Sequence, residues 1–180
     1  MKFRHPLLAL AALLLFSGCS STTSAPTDET MQTSTIQTVN GSQVDYSITY
    51  DSTKWILDGY PSNEAAEFSF EHMDGDVYAM VIPERTEFEA DALKQAALEN
   101  AQSVAPDSTI VAEEMVTVNG VDMTMLKIDG NLSGMPFEYY GYYYTGEAGT
   151  IQFITYTSQN LTDDYATDLT DLLNGLSVAE

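Results

Sequence analysis

A single cysteine stands in the 180 residues, so no disulfide can close within the chain, and any folded body must rest on its buried apolar side chains. Basic residues are scarce as well. Six Lys and Arg oppose 27 Asp and Glu, for a formal charge of −21 at pH 7. A surface of that sign repels phosphate backbones, which excludes nucleic-acid binding built on counterion release. It also repels anionic lipid headgroups, so no basic face is available to hold the protein on a membrane. Histidine occurs twice, at His5 and His72. With no second thiol and no nucleophile-elbow sequence, a Ser-His-Asp arrangement in the folded part would have to use His72, which beside a turn reads as a surface residue. Long apolar runs are missing too. The stretch from Pro6 to Phe16 has eleven residues without a charge, well short of the ~20 that cross a hydrocarbon core.

Phosphate loops and metal cages are also absent. Gly120, Gly130 and Gly134 punctuate turns, and no Gly-Lys-Ser or Gly-Lys-Thr follows them. Acids crowd two places, Glu71, His72, Asp74 and Asp76 on one hairpin and Asp163, Asp164, Asp168 and Asp171 on the last helix. Neither group has the loop spacing that brings six or more oxygens onto calcium, and the helical acids read as a solvated face. No metal, no cofactor and no catalytic residue is expected; nothing selects one carboxylate pair for hydrolysis.

What is present begins with an address. Lys2 and Arg4 precede the uncharged stretch, and small residues follow it, the order of a secretory leader. The leader ends in Phe16-Ser17-Gly18-Cys19, which resembles the lipobox of bacterial lipoprotein signal peptides, with Phe16 where Leu is commonest. That resemblance implies cleavage before Cys19, acylation of its thiol and amine by diacylglycerol and palmitate-type chains, and, with Ser20 rather than Asp next, an outer-membrane anchor on the periplasmic face. Residues 1–18 are then signal peptide. Losing Lys2 and Arg4 leaves four bases against 27 acids, a formal charge of −23. The bilayer, engaged through acylated Cys19, is the first expected partner; more than one acyl chain is needed for stable anchoring at ~0.8 kcal/mol per buried methylene. Residues 19–40 read as a tether: from Ser20 to Asn40, eleven of twenty-one residues are Ser or Thr.

Residues 41–180 read as one domain without internal repeats. Val44, Tyr46, Ile48 and Tyr50 alternate with polar residues as in a half-buried strand. Strands follow at Lys54 to Leu57, around Phe68 and Phe70, and from Val77 to Ile82, which is apolar throughout and expects cover on both faces. Thr86-Glu87-Phe88-Glu89 has capping-box spacing and predicts a helix to Val104, with Phe88, Ala92, Leu93, Ala96, Ala97 and Ala101 on one stripe. Asn119-Gly120 joins strands Ile110 to Val118 and Val121 to Asp129 in a hairpin. Strands Phe137 to Tyr144 and Thr150 to Thr157 flank a turn from Gly146 to Gly149. A last helix carries Tyr165, Leu169, Leu172, Leu173 and Leu176, with Gly175 as its stop. The fold class is therefore α+β, a mainly antiparallel sheet flanked by helices.

Tyr50-Asp51-Ser52-Thr53-Lys54-Trp55, Asp74-Gly75, Val118-Asn119-Gly120, the tyrosine strand before Gly149 and Leu172-Leu173-Asn174-Gly175-Leu176 together resemble the PsbP-like superfamily, with its PsbP, Mog and DcrB types. The resemblance spans almost all of residues 41–180 and implies a layered sandwich serving as a noncatalytic binding, assembly or accessory component, here of the bacterial envelope, with an envelope protein as partner. The alternative is a lipoprotein that binds a small ligand or a divalent cation. Tyr140, Tyr142 and Tyr144 share one strand face opposite Phe137, Tyr139 and Tyr143, and are the candidate partner-binding residues if that face stays open. Substituting the anchor tests the address: Cys19→Ser should abolish incorporation of labelled fatty acid in cells, and retention of the label would remove the lipid assignment.

Overall fold

The computed structural model describes residues 35–58 and 63–179, so the leader, Cys19 and the chain up to Ser34 lie outside the described residues. Within them the order is β1 (Ile36–Asn40), β2 (Tyr46–Asp51), β3 (Trp55–Leu57), β4 (Phe68–His72), β5 (Val77–Glu84), α1 (Ala90–Val104), β6 (Thr109–Val118), β7 (Val121–Leu132), β8 (Met135–Gly146), β9 (Gly149–Ser158), a 3-10 turn (Gln159–Leu161), α2 (Thr162–Leu173) and β10 (Leu176–Val178). Strands β3-β4-β5-β9-β8-β7-β6 form one seven-stranded sheet and β1-β2-β10 a smaller one. Every pairing is antiparallel. The expected α+β class, a mainly antiparallel sheet flanked by helices, is what the chain forms.

Two apolar layers sandwich the large sheet. On one face α1 lays Leu93, Ala97 and Ala101 over Leu126, Ile128, Tyr143 and Ile154, its alanines permitting close approach. On the other, β2 contributes Tyr46, Ile48 and Tyr50 and α2 contributes Leu169, Leu172 and Leu173, packed on Phe70, Val81, Met123 and Phe153. The continuous apolar run of β5 is explained by this arrangement: Val77, Ala79 and Val81 join the α2-side core while Met80 packs under α1. Polar contacts pin the small sheet as well. Glu67, just before β4, accepts hydrogen bonds from the Ser42 amide at 2.7 Å and the Tyr46 hydroxyl at 2.6 Å. Burial, and then the Glu67 carboxylate, push the Tyr46 hydroxyl far above its ordinary pKa.

Sharp turns set the hairpins. Asn119 and Gly120 both take positive φ, the mirror-image turn whose twist matches paired strands, and Val118 sits opposite Val121. Ser133 and Gly134 do the same between β7 and β8, a turn the sequence reading left as punctuation.

Four local expectations need correction. Residues 36–40, assigned to the tether, form β1 and pair with β2 from Ile36 opposite Asp51 to Asn40 opposite Ser47, so the folded body starts before Gly41. The capping box does not form. Thr150 Oγ1 donates to the Thr86 carbonyl and accepts from the Phe88 amide, while Thr145 Oγ1 donates to the Phe88 carbonyl, which holds this segment against the β8–β9 turn and delays the helix to Ala90. Gly175 does not stop α2 through a left-handed conformation, since it is not among the positive-φ residues. It is needed because a Cβ there would lie 1.9 Å from the Thr49 carbonyl oxygen. Leu176, placed on the helix stripe, instead begins β10.

Gly175→Ala should therefore destabilise the fold by about 3 kcal/mol, the upper part of the usual single-substitution range, in urea unfolding monitored by Trp55 fluorescence. Gly120→Ala, where φ is +90° but no atom lies within 4 Å, should cost less. Equal losses would mean that backbone conformation, not the clash with Thr49, decides the residue at 175.

Candidate functional site

The polar centre of the molecule is assembled where β3, β4 and α2 meet. Asp51 Oδ1 accepts from the Thr53 amide at 2.9 Å and the Thr53 hydroxyl at 2.7 Å, and the Lys54 amide closes the turn onto the Asp51 carbonyl. That turn delivers Lys54 toward α2. Lys54 Nζ reaches Asp168 Oδ1 at 2.6 Å, with Asp171 Oδ2 at 3.8 Å. One residue on, β3 pairs Trp55 directly with His72 of β4, and their rings meet edge to face at 5.1 Å. Tyr165 of α2 closes the other side of the imidazole at 4.9 Å.

His72 is thus buried, 6% exposed, and not the surface residue its position beside a turn implied. Its Nδ1 accepts the Asp74 amide at 3.3 Å, which fixes the tautomer and leaves Nε2–H to donate to Asp168 Oδ2 at 3.2 Å. Tyr165 donates from its hydroxyl to Asp74 Oδ2 at 3.2 Å. The two acidic groups weighed separately in the sequence are therefore joined through His72, Asp74, Tyr165 and Asp168, whereas Asp163 and Asp164 are exposed as a solvated face should be. Among the described residues no three His, Cys, Asp or Glu side chains gather in a way that would hold a metal ion.

The Lys54 hydrogen bond, opposed by burial and reinforced by His72, holds the Asp168 carboxyl below its ordinary range. The same bond raises the Lys54 ammonium. Chemically the group is a clamp: one shared carboxylate, an ammonium on one oxygen and an imidazole N–H on the other. Both ring nitrogens of His72 are engaged, so the imidazole has no free lone pair with which to take a proton from a substrate.

Beside the clamp lies an open cleft of about 750 Å³ whose walls include Ser47, Thr49, Asp51, Lys54, Asn119 and Asn174. Asn119 Nδ2 donates to the carbonyls of Asn174 at 3.0 Å and Leu176 at 2.7 Å, which docks the β6–β7 turn on the α2–β10 connection. Trp55, Tyr50 and Leu172 add apolar patches to this polar cleft.

The tyrosine strand does not supply the expected contact surface. Tyr142 and Tyr144 are each 4% exposed, and Tyr140 is half-buried against the same core, because β2 and α2 roof that face while α1 roofs Tyr139 and Tyr143. Exposure was the premise for reading Tyr140, Tyr142 and Tyr144 as partner-binding residues, and for Tyr142 and Tyr144 it fails. Cys19 lies outside the described residues. What the sequence reading missed is the pairing of Lys54 with Asp168, for which no local signal exists, since they are 114 positions apart.

With this geometry in hand, the fold is similar to that of cyanobacterial PsbP (CyanoP) from Synechocystis, with a TM-score of 0.60, 12% identity, and coverage of 83% of this chain and 96% of that one. It is also similar to LpqN of Mycobacterium tuberculosis, described as involved in cell envelope biogenesis, with a TM-score of 0.52, 12% identity, and coverage of 81% and 92%. The layered α+β architecture is therefore PsbP-like. No protein-family model and no curated protein matches the sequence.

A carboxylate depressed in the folded state stabilises it above the unfolded value near ~3.9, and that contribution is lost as pH falls through the lower folded value. Asp168→Asn should thus cost about 2 kcal/mol at pH 7, and the gap to the parent should shrink between about pH 4 and pH 2. Urea unfolding across that range checks it; a gap independent of pH would mean that Asp168 is not acting as the charged member of the clamp.

Proposed function

We propose that this chain is a noncatalytic binding component of the bacterial envelope, held to the outer membrane by acylated Cys19 and engaging a protein partner through the cleft beside Lys54. The observation that carries the reading is how the polar groups there are used. Lys54, Asp168 and His72 are consumed by one another, and what remains on the cleft wall is hydroxyl and carboxamide groups together with the carboxylates of Asp51 and Asp171, the latter 64% accessible. Such a surface recognises hydrogen-bonding chain segments better than it transforms a substrate. The likeness of fold to LpqN, a protein involved in envelope biogenesis, supports the location and the accessory role.

Charge chooses the partner's chemistry. With 27 acids over the chain and Asp51 and Asp171 on the cleft, the matching segment carries Lys or Arg among polar neighbours. Lys54 belongs to the wall but is already neutralised by Asp168.

A photo-crosslinking residue at Thr49, which is exposed in the cleft, should trap one defined envelope protein in living cells, whereas the same residue at exposed Gln95 on α1 should not. Asp171→Lys should reduce the Thr49 adduct several-fold. Equal adducts from both positions, or none from Thr49, would refute the cleft as the contact site, and a turnover abolished by His72→Gln would refute the noncatalytic reading.

A further inference from the structure

On the opposite face of the seven-stranded sheet, between that sheet and α1, lies a second cavity, of about 310 Å³. It sits at the small end of the ~300–1,000 Å³ range of ligand pockets. Gln152 lines it from β9, a strand flanked on both sides by β5 and β8, opposite Ile82 and Tyr143. The residue is 4% exposed, and its Oε1 is buried without any hydrogen-bond partner. An acceptor left in that state is costly, and an apolar residue of the same size would avoid the penalty. Gln152 is therefore an unmet acceptor in an otherwise packed layer.

The remaining walls define what would meet it. Phe137, Tyr139 and Tyr156 form a continuous aromatic wall, with ring centroids 5.4 to 6.2 Å apart. Ala97 and Ala101 of α1 are too small to fill the space above the sheet. Among the described residues no charged side chain lines the cavity, in a chain where acids are abundant, so a charged guest would be desolvated without a counterion. We propose that this cavity binds a compact, uncharged aromatic molecule whose hydrogen-bond donor is received by Gln152. A straight alkyl chain suits it less well, because an amphiphile enters tail first and leaves its polar head at the mouth, with methylenes against the buried carboxamide. Ring edges and faces, by contrast, match the wall. The mouth lies beside Val104, the last residue of α1, which is 53% exposed. This site is separate from the cleft, so it stands or falls independently of the protein-partner reading.

The test uses the full chain carrying Cys19→Ser, so that no detergent competes, titrated calorimetrically with 2-naphthol, naphthalene, 2-naphthoate and 1-dodecanol. The expected order is 2-naphthol above naphthalene, with 2-naphthoate and 1-dodecanol weakest. Gln152→Leu should lower affinity for 2-naphthol about tenfold, a change of ~1.4 kcal/mol, and leave naphthalene unchanged. Because Gln152→Leu removes an unsatisfied acceptor, it should unfold at a temperature no lower than its parent, which separates loss of binding from loss of fold. Val104→Trp, placed at the mouth on an exposed position, should weaken both aromatic probes. Absence of 2-naphthol binding at millimolar concentration, tightest binding by 1-dodecanol, or indifference of 2-naphthol to Gln152→Leu would each overturn the proposal.

Discussion

A seven-stranded sheet that carries apolar side chains on both faces must be roofed twice, and among the described residues the helices available are one of fifteen residues and one of twelve. The longer helix covers one face through its leucine and alanine stripe. The shorter cannot cover the other alone, and β2 with β10 completes that roof, which is why the inward residues of β2 sit in the same cluster as those of α2. With no disulfide possible inside the chain, this double cover supplies most of the cohesion. Polar groups then lock the roof in place: Glu67 holds the small sheet, and Asp168 holds α2 to β3 and β4.

The same arrangement decides which surfaces are left for recognition. Because both faces of the tyrosine strand are covered, its aromatic rings line the wall of the α1 cavity instead of an open face. Because α2 is tied down by its polar side, the neighbouring cleft keeps hydroxyls, carboxamides and the carboxylates of Asp51 and Asp171. The two sites thus differ in character for a structural reason, one polar and acidic, the other aromatic and uncharged.

Much of the fold was legible from local pattern. Period-two alternation marked β2 and β8, Asn119-Gly120 marked its hairpin, and the leucine stripe marked α2, because each depends on neighbours a few residues away. Misreadings arose where distant atoms overrule local chemistry. The capping box at Thr86 lost to hydroxyls of Thr145 and Thr150, some sixty positions on, and β1 was hidden in a Ser/Thr-rich stretch because its strand character comes from pairing with β2. The clamp was the least visible part. Lys54, His72 and Asp168 are ordinary residues in sequence, and only the packing of α2 against β4 makes them one unit.

Leu176 sits opposite Ile48, and the Gly175 carbonyl accepts from the Thr49 amide at 3.0 Å, so the small sheet is zipped between two stretches far apart along the polypeptide. A ribosome delivers those partners at widely separated times. Until β10 emerges, β2 lacks one of its two neighbours, and the α2-side core cannot shut. Such long-range closure slows folding. The sheet therefore stays open on that side until β10 has been made.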